Sequence, residues 1–285
     1  MNSSDYPEKP YSLKFSSDIV FGVLLRKNPK LCKRILEIVL DIKIREISIL
    51  QNQRHFEPGI DERGIRLDVY VEDDRETVYD VEMQTTDDRN LPKRSRYYQG
   101  AIDTDMLSPS QEYNTLRKSI ILFICCFDPF HRNLPKYRFL YRAEEDPSLL
   151  LGDETEKIFV NAEYVGELAD GEFRSFLHFV STEESTSSFT NEIAAAMDEL
   201  NRSEEGRSLM TLEMKLREER RIAKEAGIEM GREEGREEGR EEGREEVVLS
   251  MLAAGDVSME LACKWLNLSE EEVAKRLEAV RSRAV

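Results

Sequence analysis

The feature that most limits the possible folds is a pair of neighbouring stretches, residues 65–71 and 77–84, in which apolar and polar side chains alternate. A period of two is typical of a β-strand with one face in a core. The residues between them, 72–76, are all polar and few enough to close an antiparallel hairpin. The sequence therefore predicts a hairpin with one apolar face and one polar face.

The polar face of this hairpin carries Asp68 on the first strand and Asp80, Glu82 and Gln84 on the second. Residues paired across an antiparallel ladder point the same way, so Asp68 joins Glu82 only if paired residue numbers sum to an even value. A sum of 150 makes the two carboxylates direct neighbours, and a sum of 148 keeps them on one face.

Two carboxylates placed side by side repel each other unless a cation compensates for their charge. Mg²⁺ suits Asp68 and Glu82, because it binds one or two carboxylates and keeps several waters. Gln84 would hold the attacking water, although it cannot act as a charged acid or base. On spacing alone, an ordinary solvated strand face is the more common interpretation. What favours a site is the helix that follows directly and carries basic residues.

The rest of the chain predicts an α/β sandwich with a helical extension at its C-terminal end. Helix, three strands, helix and strand follow one another, and the helix at 90–107 is the natural parallel crossover. The predicted elements are helices at 18–25 and 30–40, strands at 47–49, 65–71, 77–84 and 119–127, and a strand that includes Tyr137, Phe139 and Tyr141.

A polar, turn-rich stretch at 181–190 predicts the edge of the first domain. We expect a catalytic-type domain over 1–185, a charged helical segment over 186–246 and a small helical segment over 247–285. The last segment predicts short helices at 247–254, 258–266 and 269–280, and Ser269 with Glu272 predicts a capping box for the third.

Charge gives a mixed indication about nucleic acid. The net charge of −17 counts against a DNA partner, because Lys and Arg supply most of the affinity for phosphate. Residues 93–142, however, contain nine basic residues against four acidic ones. The acidity is concentrated in the Glu-rich C-terminal third, so charge alone neither proves nor excludes DNA.

Other features of the sequence limit the remaining classes of protein. The longest apolar run, 120–127, is far below the roughly 20 residues needed to span a bilayer, so we expect a soluble, cytoplasmic protein with no membrane partner. The cysteines have no CxxC spacing, and we expect reduced, buried thiols. The three histidines have no ligand spacing for zinc. The cysteines are Cys32, Cys125, Cys126 and Cys263, and the histidines are His55, His131 and His178.

Four stretches together resemble the PD-(D/E)XK nuclease family transposases, also called recombination-promoting nucleases. They are IRLDVYVEDDRETVYDVEMQ, LPKRSRYYQGAIDTDML, SIILFICCFDPF and EKIFVN. The resemblance implies a restriction-endonuclease-like core, in which helices flank a mixed sheet. It also implies Mg²⁺-dependent hydrolysis of DNA, with Mn²⁺ as the alternative metal, and a role in transposition or recombination.

The resemblance also assigns roles to individual residues. Asp68 and Glu82 match the metal-binding acids, and Gln84 matches the third motif position, where Gln commonly replaces the lysine of the wider superfamily. Asp18 matches an acid of the first helix that completes the site, although a helix N-cap is the alternative role for it. Arg94 and Tyr98 match an Arg and a Tyr on the helix after the site.

Three functions stay open at this point. The first is a DNA endonuclease in which Lys93, Arg94, Arg96 and Tyr98 contact the DNA, with the basic residues forming a rim beside the acids. The second is a catalytically weak or inactive protein derived from a transposase, which the missing lysine and the overall acidity favour. The third is a nuclease for RNA, because RNA presents the same phosphodiester group.

The repeat of Gly227, Gly231, Gly235, Gly239 and Gly243 recurs every four residues among helix-favouring Arg and Glu. Each glycine disfavours a helix by about 1 kcal/mol relative to alanine. Glycines four apart form a slanting ridge on a helix that another backbone can approach closely. We therefore predict a helix that pairs two copies of the chain into a homodimer, with a flexible spacer as the alternative.

Overall fold

A computed structural model describes residues 12–50, 55–56 and 65–283. Its central feature is a mixed sheet of six strands in the order β1-β4-β5-β6-β8-β7, beside a separate two-stranded ribbon, β2-β3. The strands are β1 Ile47–Ile49, β2 His55–Phe56, β3 Ile65–Arg66, β4 Val69–Asp73, β5 Val78–Gln84, β6 Ser119–Cys125, β7 Lys136–Phe139 and β8 Thr155–Asn161.

Helices cover both faces of the sheet and continue beyond it. The helices are α1 Asp18–Lys27, α2 Pro29–Leu40, α3 Leu91–Met106, α4 Glu172–Thr182, α5 Ser188–Arg202, α6 Glu204–Ala254, α7 Met259–Leu266 and α8 Glu270–Arg283. A short 3-10 turn occupies Tyr113–Thr115. No helix within the described ranges combines the length and the apolar character needed to cross a membrane.

The sheet is antiparallel at its hairpin and parallel at its centre. The β4/β5 and β1/β4 pairs are antiparallel, whereas β5/β6 and β6/β8 are parallel. Helix α3 connects β5 to β6, which confirms the predicted parallel crossover and the α/β class. Strand β8 was not predicted, because its first residues are polar and an irregular loop precedes it.

The two faces of the sheet bury different side chains. Val69, Val81, Leu122 and Val160 belong to the larger core, together with buried residues of α1, α2, α4 and α5. On the other face a smaller core contains Tyr70 and Phe123, with Leu91, Tyr98 and Ile102 from α3. Helix α3 thus covers the face that carries the even-numbered side chains of β5.

The predicted strand at 65–71 is interrupted at Leu67 and Asp68, which separate β3 from β4. Helix α1 packs against this break, and Gly22 permits the close approach, since a Cβ there would lie 3.2 Å from the Asp68 carbonyl oxygen. The break releases Asp68 from the strand ladder while the hairpin still fixes its position.

Contacts divide the chain into two compact units, with the boundary between Leu212 and Glu213. In the first unit, α5 buries Phe189 and Ile193 in the larger core. In the second unit, Val248, Leu249, Ala262 and Val273 form a small core of their own. The domain limits predicted at 185 and 246 stay predictions.

The C-terminal region is helical as predicted, with one difference. Residues 247–254 are not a separate helix but the end of the 51-residue α6. The predicted capping box of Ser269 and Glu272 is confirmed: the Glu272 carboxylate accepts hydrogen bonds from the Ser269 N–H and hydroxyl. All four cysteines are free, but Cys126 and Cys263 are only partly buried.

Candidate active site

The register of the hairpin places the two predicted acids together. Val69 pairs with Val81 and Tyr70 with Asp80, so paired residue numbers sum to 150, which confirms the predicted even sum. The Asp68 N–H donates to Glu82 Oε1 at 2.9 Å, and the Met83 N–H donates to Asp68 Oδ2 at 3.2 Å. Each carboxylate is thus oriented by the backbone of the other strand.

The Glu82 carboxylate is fully buried, and its main partner is Arg94 on α3. Arg94 Nη2 lies 2.8 Å from Glu82 Oε2, Nη1 donates to Gln84 Oε1 at 2.8 Å, and Nε donates to the Tyr98 hydroxyl at 2.7 Å. The guanidinium also lies 5.7 Å from the centre of the Phe123 ring. One cation on α3 therefore holds two of the three predicted catalytic side chains.

This position of Arg94 corrects one expectation. Arg94 was predicted on a basic rim beside the pocket, but it lies inside the pocket, because the buried Glu82 requires a charged partner. Tyr98 is likewise buried rather than exposed. Lys93 and Arg96 are exposed on the surface of α3, and their contact with DNA stays a prediction.

Gln84 is held in one orientation. Its Nε2 donates to the Met83 carbonyl at 2.8 Å, while its Oε1 accepts from Arg94. The amide therefore has a fixed oxygen and a fixed nitrogen beside Glu82. Such a group can position a hydrogen-bonded water, but it has no ionisable proton.

The first helix adds two further groups beside Asp68. Arg26 Nη1 donates to the Asp68 carbonyl oxygen. Asp18 is partly buried, and its charge adds a smaller effect to the burial and the Glu82 charge that raise the pKa of Asp68. The alternative N-cap role for Asp18 is wrong: Ser17 is the N-cap residue and accepts from the Val20 N–H, whereas Asp18 is the first helical residue. Its role as a third acid stays a prediction.

Asp80 is the acid to which sequence reasoning gave no role. It is fully buried two residues before Glu82, and no described residue donates a hydrogen bond to either of its carboxylate oxygens. Glu82 can form a hydrogen bond with it only when one of the two acids carries a proton. Alternation placed Asp80 on the polar face, but its burial depends on the cover that α3 provides.

The three acids share a common electrostatic environment. Burial raises the pKa of Asp80 well above its usual range, and the charge of Asp68 raises it further. Burial and then the charge of Asp80 raise the pKa of Glu82, while Arg94 opposes both. Burial and the charge of Glu82 likewise raise the pKa of Asp68. The charge of Arg94 opposes the rise in pKa of all three acids, so this cation acts on the whole group.

The burial of Asp80 predicts a pH-dependent stability. Because folding raises its pKa above the usual 3.8, the folded protein retains a proton that the unfolded chain releases, and stability falls as pH rises above that value. Asp80→Asn removes the carboxyl group that carries this proton, so the free energy of unfolding should fall less steeply as pH rises. Urea unfolding in EDTA at about pH 5 and about pH 8 measures the slope. An exposed control, Asp88→Asn, should keep the wild-type slope; an unchanged slope in Asp80→Asn would contradict this account.

The family model of the PD-(D/E)XK nuclease family transposases matches residues 16–224, which is more than half of the chain and includes every site residue named above. The chain belongs to this family. No curated protein and no solved structure matches it. Membership confirms the predicted family and fold, and it indicates a function related to nuclease action or transposition, with DNA as the implied partner.

Nucleases of this family typically use divalent metals, and the residues here fit such an ion. Asp68 and Glu82 offer carboxylate oxygens, which suit a hard cation such as Mg²⁺. Within the described ranges no three His, Cys, Asp or Glu side chains converge on one metal position. The Asp68 and Glu82 pair would therefore hold the ion with help from water or substrate.

Proposed function

We propose that this protein is a Mg²⁺-dependent DNA endonuclease that acts in transposition or recombination, with Mn²⁺ as the alternative metal. The observation that carries the proposal is the even register of the hairpin, which brings Asp68 and Glu82 into hydrogen-bonded contact within a family of nucleases. In the proposed site, Asp68 and Glu82 hold the metal and Gln84 orients water.

The chemistry that a divalent cation supplies at such a site is activation of water and neutralisation of charge on the phosphoryl oxygens. The chain supplies the orientation. The Asp68 N–H fixes one Glu82 oxygen, and Arg94 fixes both Glu82 and Gln84. Arg94 acts as a positioning residue in this proposal, because its hydrogen bonds hold the groups that face the substrate.

A cleavage assay on supercoiled plasmid tests the proposal. Wild-type protein should nick or linearise the plasmid with Mg²⁺, lose this activity in EDTA and regain it when Mg²⁺ is restored in excess. A single-stranded RNA of the same sequence as one plasmid segment distinguishes the two substrate classes. If no DNA is cleaved under any of these conditions, the endonuclease proposal is wrong.

A catalytically weak or inactive DNA-binding or interaction protein is the second candidate, and one observation favours it. Both Glu82 oxygens and the Gln84 amide are already occupied by protein partners. If these contacts persist when DNA binds, the site holds metal poorly. Metal-independent DNA binding without cleavage would support this candidate.

The exposed cations of α3 predict a salt-dependent contribution to DNA binding. Lys93→Glu and Arg96→Glu should each weaken binding. Each should also reduce the slope of log affinity against log salt by about 1, since each phosphate contact contributes about 0.9. Fluorescence anisotropy with duplex DNA over a range of salt measures this slope. The control Arg220→Glu makes the same change in net charge on α6; equal slopes for all variants would reject the predicted contacts.

We further propose that α6 pairs two copies of the chain. The glycine repeat is helical, and a Cβ added at Gly231, Gly235 or Gly239 would meet no described atom within 4 Å beyond the adjoining residues of its own helix. This open surface supports close approach by a second helix. Sedimentation equilibrium should show a dimer, and a monomer at all accessible concentrations would reject the pairing.

A further inference from the structure

A row of buried side chains in register lies between the acidic site and the opposite edge of the sheet. Glu82 pairs with Phe123, Phe123 with Phe159, and Phe159 with Tyr137. Paired residues share a face, so these four lie on the side that α3 covers. Two strand spacings of about 4.8 Å place Phe159 about 10 Å from Glu82. Phe123 and Phe159 are stacked, with ring centres 5.4 Å apart.

Beyond this row lies a groove of about 250 Å³ between the start of α3 and strands β7 and β8. Pro92 and Ser95 form one wall, and Phe159 lies in its lining together with Phe130 and Phe139. The rings of Phe130 and Phe139 meet Phe159 edge-on, at 5.1 Å and 5.7 Å. The groove is smaller than the roughly 300–1,000 Å³ of sites for drug-sized ligands, so it suits one ring-sized group.

Two aromatic side chains of this groove are unusually exposed. Phe139 is 46% exposed and Tyr141 is 50% exposed, although both have large apolar surfaces. Lys157 lies beside them, with its Nζ 5.0 Å from the centre of the Tyr141 ring. Exposed rings next to a cation are the chemistry by which proteins hold unpaired bases and their phosphates.

The charge around the groove favours the same occupant. Lys157 is part of the lining. Arg96 follows Pro92 by four residues on α3, so it shares the side of the helix that faces the groove. A polyanionic strand would therefore meet positive charge at this entrance in spite of the acidic chain as a whole.

We propose that the groove of Phe139, Tyr141 and Lys157 binds one unpaired base of a DNA strand whose backbone crosses the acidic site. The inference rests on the proposed nuclease function, because it takes the phosphodiester to lie at Asp68 and Glu82. Base stacking tolerates any sequence. The groove therefore gives the protein a preference for single-stranded or locally unpaired DNA over fully paired DNA.

The test is fluorescence anisotropy with a labelled oligothymidylate in EDTA, so that binding is measured without cleavage. The double variant Phe139→Ala, Tyr141→Ala should bind about tenfold more weakly than wild type, the size expected for loss of base stacking. An oligomer of the same length with abasic sites should bind wild type and variant equally. The control Tyr113→Ala removes an aromatic ring that is 81% exposed outside the groove and should bind as wild type does.

Several results would overturn the groove proposal. The first is that wild type and the double variant bind oligothymidylate equally. The second is that the double variant loses as much affinity for the abasic oligomer as for oligothymidylate. The third is that wild type binds neither oligomer. A lower sedimenting mass in the double variant, with unchanged DNA affinity, would show that the groove binds a protein copy instead. If wild type cleaves plasmid but the double variant binds oligothymidylate as tightly as wild type, only the groove proposal is rejected. If it binds bases through the groove and never cleaves, only the nuclease is rejected.

Discussion

Exchanging Glu82 for glutamine is expected to lower Mg²⁺-dependent DNA cleavage by about a hundredfold or more. Glutamine keeps the shape of the side chain and can still accept a hydrogen bond from the Asp68 N–H or from Arg94. It loses the charge that would hold a metal. A catalytic metal contributes several kcal/mol of transition-state stabilisation to such reactions, and about 1.4 kcal/mol corresponds to a tenfold change in rate. Asp68→Asn should have an effect of the same order.

The matched control is Glu72→Gln in the same hairpin. Glu72 pairs with Arg117 at 2.7 Å and lies toward the turn rather than at the site. Single-turnover cleavage of a labelled duplex measures the rate of all three variants. Each protein is prepared in the same way, so a contaminating nuclease would give the same cleavage in every sample. Glu82→Gln cleaving at the wild-type rate would show that this carboxylate has no part in the reaction.

The second large effect is on stability. Arg94→Met should destabilise the metal-free protein by about 3 kcal/mol, because removal of one partner leaves the other buried charge uncompensated. Glu82 is fully buried, and Arg94 also makes hydrogen bonds to Gln84 and Tyr98 that methionine cannot make. Methionine retains the apolar bulk beside Phe123, so the loss reports mainly the polar contacts.

Urea unfolding in EDTA measures this change against Arg96→Met, which alters an exposed arginine two residues along the same helix. Exposed substitutions of this kind usually change stability by less than about 0.5 kcal/mol. Added Mg²⁺ should stabilise Arg94→Met more than wild type, because the cation replaces the missing positive charge beside Glu82. Equal stability of the two methionine variants would show that the ion pair contributes little.

The hairpin could be predicted from sequence because its evidence is local. Alternation fixes which residues share a face, and an even register follows once the apolar face must stay buried. Asp68 and Glu82 were therefore placed together correctly. The interruption at Leu67 and Asp68 was not predicted, because it depends on the packing of α1 through Gly22.

The role of Arg94 could not be predicted, because it depends on tertiary cover. Sequence placed Arg94 and Tyr98 on one helical face but not the direction in which that face points. Helix α3 turns that face onto Glu82, so the partly buried Arg94 pairs with the buried Glu82 instead of lying on an exposed rim. The burial of Asp80 has the same origin, since alternation assigns a strand face but not the element that covers it.

The continuous α6 was underestimated for a different reason. Glycine propensity predicts a poor helix at 227–243, and a separate helix was expected from residue 247. The structure has one helix through both stretches. Local propensity is a weak guide when Arg and Glu flank every glycine and when the end of the helix, at Val248 and Leu249, packs into a core of its own.

Asp68 and Glu82 are proposed to hold together the divalent metal that DNA cleavage requires. Electron paramagnetic resonance of Mn²⁺ titrated into the protein tests the site directly. Wild type should bind Mn²⁺ more tightly than the variants Asp68→Asn and Glu82→Gln. Excess Mg²⁺ should weaken the binding of Mn²⁺ to wild type. The control Glu72→Gln should bind Mn²⁺ as wild type does. Equal Mn²⁺ binding by wild type and both site variants would contradict the account.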